Sequence, residues 1–178
     1  MKKYLYGSWA VIKSYLISML IFYIFFLGFY KRLSLFSVFV FVIMIAFIYA
    51  ELHHLTGVDK RRHGSVKYYD GLIYGILAVI PFAIIQVIIS FLDLSIKGVN
   101  FQMLKANLIK GLAAPMLFIE KSMHYSVVGY SVAWFTVILI SFLGYFAGYK
   151  KFDVTEYTRK LFGLQPRKPK PKRNRRFF

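Results

Sequence analysis

Residues 71–92 read GLIYGILAVIPFAIIQVIISFL, an apolar run without a single charged side chain. A helix rises about 1.5 Å per residue, so a run of this length reaches roughly 33 Å and can cross the ~30 Å hydrocarbon layer of a bilayer. Inside that layer there is no water to satisfy backbone N–H and C=O groups. A segment this uniformly apolar satisfies them only as a helix.

Three further stretches of the same kind lie on either side of it: residues 14–30, 33–50 and 126–149. The first gains length by running back to about residue 10, because Lys13 can extend its ammonium toward the headgroups while its methylenes stay in the apolar layer. The expected spans are therefore about 10–30, 33–50, 71–92 and 126–149. Only Lys31 and Arg32 separate the first two, which demands an antiparallel helical hairpin. Lys2 and Lys3 before an apolar core suggest a secretory signal, but the core is followed by Phe29, Tyr30, Lys31 and Arg32 without a small-residue cleavage pattern. The fold class expected is all-α: an integral membrane four-helix bundle over residues 1–150, with an extracytoplasmic amphipathic helix and a disordered basic C-terminal tail over 151–178.

The composition agrees. Hydrophobic types make up 58% of the 178 residues and charged types 17%, against roughly 45–50% and ~25% in soluble proteins. Tyr4, Trp9, Tyr30, Tyr49, Tyr68, Tyr69 and Tyr149 stand beside charges at the ends of the apolar runs, the headgroup level that amphipathic rings favour. The absence of cysteine excludes disulfides, thiolate metal sites and cysteine nucleophiles.

Sidedness follows from Lys and Arg, which accumulate on the cytoplasmic face. With four spans, one side receives only Lys31, Arg32, Lys97, Lys105, Lys110 and Lys121 of the 24 Lys and Arg residues. The other receives all the rest, so both termini are expected in the cytoplasm of a multi-pass protein of the cell membrane. The one sizeable outer connection covers residues 93–125. In it Phe101, Leu104, Leu108, Leu112 and Ile119 recur at near-helical spacing, with Gln102, Lys105 and Lys110 opposite. This describes a helix over about 101–120 lying in the outer interface. A shallow re-entrant turn around 111–119, which holds Pro115, is the alternative.

Little in the spans can do chemistry. Their interior polar residues are Ser18, Ser37, Gln86, Ser90, Thr136 and Ser141, none of them ionisable, whereas pumps and proton-coupled carriers place carboxylates or histidines there. Gln86 with Ser90 forms the only polar stripe, either a pore lining or an interhelical contact. Gly71 and Gly75, and Gly144 and Gly148, are two small-residue pairs four apart, each at the cytoplasmic end of its span. They predict close packing of the third and fourth spans. Between the second and third spans, Glu51, His53, His54, Asp59 and His63 read as a hydrated loop. Glu51 and His54 have di-iron spacing but lack the further carboxylates, and Asp70 reads as the N-cap of the third span. Glu120, Ser122, His124 and Ser126 are neighbours in sequence, which does not assemble a nucleophile with its base. No catalytic residue, metal ligand or cofactor site is assigned.

The tail carries more signal. Residues 166–178 read PRKPKPKRNRRFF, where proline blocks a helix and like charges repel. Arg167, Lys168, Lys170, Lys172, Arg173, Arg175 and Arg176 can engage anionic lipid headgroups at about 1 kcal/mol each near the surface. They suit phosphates of ribosomal RNA, or an acidic partner protein, equally well.

The run Gly144-Tyr145-Phe146-Ala147-Gly148-Tyr149-Lys150-Lys151-Phe152, followed by Thr155-Glu156 and a basic tail, resembles the last span of small uncharacterised four-helix integral membrane proteins of low-GC Gram-positive bacteria. Asp59-Lys60 and Asp70-Gly71 are similar too. The resemblance implies a bacterial cytoplasmic membrane and brings no known activity. The function expected is a non-catalytic accessory or scaffold subunit whose tail binds anionic lipid, RNA or an acidic partner. The alternative is a small transporter component or a holin-like pore that assembles from copies of this chain.

Overall fold

The apolar runs are largely helical, but the first helix stops at Phe25, short of the expected 30, because residues 26–32 make the turn into the second. The computed structural model describes residues 2–64, 66–91 and 101–150. The basic residues Arg167 to Arg176 lie outside these described residues. Six α-helices follow one another: α1 (Lys2–Phe25), α2 (Leu33–His63), α3 (Asp70–Phe91), α4 (Phe101–Leu112), α5 (Leu117–Ser122) and α6 (Val127–Tyr149). Short 3-10 turns at Tyr30–Arg32 and Ala114–Met116 lead into α2 and α5. Four segments, Lys3–Phe25, Leu33–Arg62, Asp70–Phe91 and Val127–Tyr149, are long and apolar enough to cross a membrane.

Two helices are longer than their charge-free cores for an identifiable reason. In α1 the two described lysines find carboxylates on other helices: Lys3 Nζ lies 2.6 Å from Asp70 and Lys13 Nζ lies 3.1 Å from Glu51. In α2 the stretch read as a hydrated loop is helix, and Glu51, His53, His54 and Asp59 sit on it. Leu52, Leu55, Thr56 and Asp59 repeat at helical spacing and are all buried, while His54, Lys60 and Arg61 face outward. That inward stripe gives the extra turns a packing surface, which stabilises helix more than intrinsic propensity does. Gly64 ends α2 at φ +67, the left-handed conformation that glycine adopts without steric cost.

α2 packs against α1 and α6, and α3 packs against the other side of the same two helices. Val11, Tyr15, Met44, Ile48, Ala78, Trp134 and Val137 meet in the core between them. The outward faces are no less apolar, with Leu20, Phe39, Val42, Ile84, Ile88 and Phe135 exposed. Helices hydrophobic all round belong in lipid or in the interior of a large protein.

The long connection divides into two unlike parts. α4 has no buried residue and lies on the surface. Residues 113–116 then turn inward: Ala113, Ala114 and Met116 are fully buried. Their carbonyls are answered from the long helices. Tyr15 Oη donates to Leu112 O at 2.6 Å, Ser37 Oγ donates to Pro115 O at 3.1 Å, and Phe118 N donates back to Ser37 Oγ at 3.2 Å. Such pairing is what allows irregular backbone between apolar helices.

Candidate functional site

The structure gathers polar chemistry at both ends of the helix assembly. At the end where α2 stops and α3 begins, two carboxylates meet. Asp59 stands on the inward stripe of α2, and Asp70 opens α3. Both are buried, at 3% and 0% exposure. Asp59 Oδ2 accepts hydrogen bonds from Tyr74 Oη of α3 at 2.6 Å and Tyr145 Oη of α6 at 3.0 Å. Asp70 Oδ2 pairs with Lys3 Nζ of α1 and accepts the Lys67 backbone N–H at 3.0 Å. The Tyr145 hydroxyl also lies 3.5 Å from Asp70 Oδ2, so it stands between the two carboxylates. The Tyr74 and Tyr145 rings meet edge-on, with Tyr4 tilted against Tyr74.

This knot ties all four long helices together. Two carboxylates face one ammonium, and the surplus negative charge is held by hydroxyl donors, which charge-assisted hydrogen bonds do well. Tyr74 and Tyr145 are each fully buried. Both carboxylates are buried where the helices meet, and the hydrogen bonds fasten the helices to one another. Asp70 was expected to cap α3; instead it spans from α1 to the turn before α3.

The four glycines serve two interfaces. A Cβ on Gly71 would run into Tyr145 and one on Gly75 would lie 2.9 Å from Ile138 Cα, so α3 approaches α6 there. Gly144 and Gly148 face α2 instead: a Cβ would come to 3.0 Å from Tyr49 Cα and 2.6 Å from Thr56 Oγ1. On α6 the residues that meet α3 are Ile138, Ser141 and Tyr145, on a stripe beside the glycine stripe. The glycine pairs therefore do not meet each other.

Gln86 makes an interhelical contact. Its Oε1 accepts from Trp134 Nε1 of α6 at 2.8 Å, while the Ser90 hydroxyl is turned back onto Gln86 O at 2.9 Å. Compared with protein-family models, curated proteins and solved structures, the chain matches none. The site is therefore read from its geometry alone.

At the opposite end, the turn end, Glu120 of α5 is fully buried and neither carboxyl oxygen has a hydrogen-bond partner. Burial pushes its pKa up to about 8, with Lys110 pulling the other way. A carboxyl in such surroundings holds its proton at neutral pH. Its sequence neighbours are engaged elsewhere: Ser122 Oγ donates to Phe118 O at 2.8 Å, and Ser126 Oγ caps α6 by accepting from Gly129 N at 3.2 Å. His124 is exposed, at φ 53 in the tight turn before α6. These four residues do not converge on one another. Among the described residues no three His, Asp or Glu side chains come together to hold a metal.

Also at this end is a cavity of about 860 Å³ bordered by Lys31 and Arg32 of the α1–α2 turn, Lys110 of α4 and Lys121 of α5. Sequence reasoning missed this cluster and the Asp59–Asp70 knot, because each assembles residues from helices far apart in the chain. One signal for the knot was available. Residues 52, 55, 56 and 59 keep helical spacing past the last apolar residue, so Asp59 is placed on the buried face.

Proposed function

We propose that the chain is a non-catalytic, multi-pass membrane protein, an accessory or scaffold subunit built on a four-helix bundle. One end of it presents the basic tail to an anionic surface. The observation that supports this reading best is the sealed knot of Asp59, Asp70, Lys3, Tyr74 and Tyr145. Its ionisable groups are spent on joining helices, Gln86 is tied to Trp134, and the hydroxyls of Ser18, Ser90, Thr136 and Ser141 are turned back onto carbonyls of their own helices. Polar groups engaged in this way weigh against a small transporter component or a holin-like pore.

α6 ends at Tyr149, at the knot end, and the basic sequence follows directly. A fastened end is a firm base for such a segment. The positive charge of the tail and of Lys60 and Arg61 orients this end toward the cytoplasm, where anionic headgroups, ribosomal RNA or an acidic protein are the partners its charge suits.

The test compares the whole protein, in bilayer discs of neutral lipid, with a variant lacking residues 166–178. Capture of phosphatidylglycerol vesicles and of ribosomes is measured at low and high salt. Salt-sensitive capture that disappears with the tail supports the proposal. Equal capture by both proteins at all salt concentrations refutes it. Leakage of small solutes from liposomes holding the protein would favour the pore.

A further inference from the structure

The turn-end cavity has the form of an amphiphile site. Among the described residues its rim carries four cations, Lys31, Arg32, Lys110 and Lys121, and no acidic side chain. Among the described residues none of the four has an ion-pair partner. Lys110 instead sits 4.1 Å over the Tyr125 ring, which holds it at the cavity wall. Lys31, Arg32 and Lys121 are exposed. Four unpaired cations brought together from two separate parts of the chain repel one another, and an anion among them removes that repulsion.

The same cavity is also lined by apolar side chains, among them Phe22, Phe26, Leu33 and Leu117. Arg32 and Leu35 also border a second hollow of about 560 Å³, a groove along the α1–α2 hairpin lined by Phe25, Phe29, Phe36, Phe39 and Ile43. Arg32 is its one charged residue. Along α2, Arg32 to Ile43 is about 16 Å, roughly the depth of one leaflet of the ~30 Å hydrocarbon layer. The two hollows thus share Arg32 and Leu35, a cation beside an apolar wall.

We propose that this site binds an anionic lipid of the surrounding leaflet, with its phosphate among Lys31, Arg32, Lys110 and Lys121 and one acyl chain in the groove toward Ile43. Phosphate is the acceptor that suits a guanidinium and several ammonium groups together. The groove distinguishes a lipid from free phosphate, which has nothing to place there. The site uses none of the residues of the basic tail and stands or falls separately from the scaffold reading.

The experiment is native mass spectrometry of the whole protein released from neutral detergent, titrated with phosphatidylglycerol, phosphatidylcholine or inorganic phosphate. One tightly held phosphatidylglycerol per chain is expected, with phosphatidylcholine bound weakly and inorganic phosphate unable to displace the lipid. Each neutralised cation removes about a fivefold factor in affinity, so Arg32→Gln with Lys121→Gln weakens retention roughly 25-fold. The charge-conserving pair Arg32→Lys with Lys121→Arg keeps it, which separates loss of charge from loss of fold. A variant lacking residues 166–178 also keeps it. Equal retention of the two lipids, displacement by inorganic phosphate alone, or undiminished binding in the Gln pair would each overturn the proposal.

Discussion

Glu120→Gln should make the protein more stable at neutral pH and remove part of its pH dependence. Glu120 is fully buried with both carboxyl oxygens unpartnered, and its pKa stands at about 8 against an ordinary 4.5. In the unfolded chain the same carboxyl is in water and ionises near the ordinary value. The native state therefore binds the proton more tightly. The contribution is fully present below about pH 4.5, falls by about 1.4 kcal/mol per pH unit as pH rises, and is lost above about pH 8. At pH 7 the parent has given up about 3 kcal/mol of it. Glutamine keeps the shape and does not titrate. Its buried amide leaves donors unpaired much as the protonated carboxyl does, which reduces the net gain to about 2 kcal/mol. Reversible unfolding in mixed micelles, followed by tryptophan fluorescence at pH values from about 5 to 8, measures both proteins. The parent-minus-variant difference should slope downward across that window and level off beyond it. A flat difference, or a variant less stable than the parent at pH 7, would show that Glu120 is ionised and paired in the native protein.

Three further outcomes test the helix contacts. Tyr74→Phe and Tyr145→Phe each remove one of the two hydroxyl donors to Asp59 and should cost about 1.5–3 kcal/mol. The double variant should cost more than their sum, since it leaves a buried carboxylate without either donor; a double-mutant cycle with no coupling energy would dissolve the shared knot. Gly75→Leu places a side chain where a Cβ already lies 2.9 Å from Ile138 Cα, so melting in detergent should drop clearly, and an unchanged melt would mean that α3 and α6 do not touch there. Trp134→Phe breaks the 2.8 Å bond to Gln86 and should cost about 0.6–1.7 kcal/mol; a variant that instead lets solutes through liposomes would reopen the pore reading.

How far the fold is legible from the sequence depends on whether a feature is local. The four apolar runs announce themselves because lipid demands helix wherever the chain is apolar for long enough. The ends of α1 and α2 do not, since Lys3 and Asp59 look like loop residues until a partner is supplied from another helix. Lys3 and Asp70 are 67 positions apart, and Asp59 and Tyr145 are 86 apart; no spacing rule connects residues so distant. The glycines show the same limit from another side. Gly71 and Gly144 each mark a close approach, as a missing side chain must, but which helix fills the gap is decided by rotation about α6. For Glu120 the sequence offers a carboxylate near a histidine and two serines, which suggests chemistry. Its burial depends on how the connection packs against α6, where Gly129 lies close to the Glu120 backbone, and no spacing in the sequence announces that.

The two ends of the molecule solve one problem in opposite ways. Helices that are apolar on every face gain little from hydrophobic burial against one another when lipid surrounds them, so close packing and polar contacts must set their arrangement. At the knot end this is done with ionised groups, each carboxylate answered by an ammonium, a hydroxyl or a backbone N–H. Removing one member there leaves a buried charge, which is strongly destabilising, so this end is held in a single arrangement. At the turn end the hydrogen bonds are neutral ones to backbone carbonyls, the buried carboxyl has no hydrogen-bond partner, and four cations border a cavity without an ion pair among the described residues. In the proposal made above, the cations of the turn end are the ones that suit an anion, while the groups of the knot end already have partners within the protein.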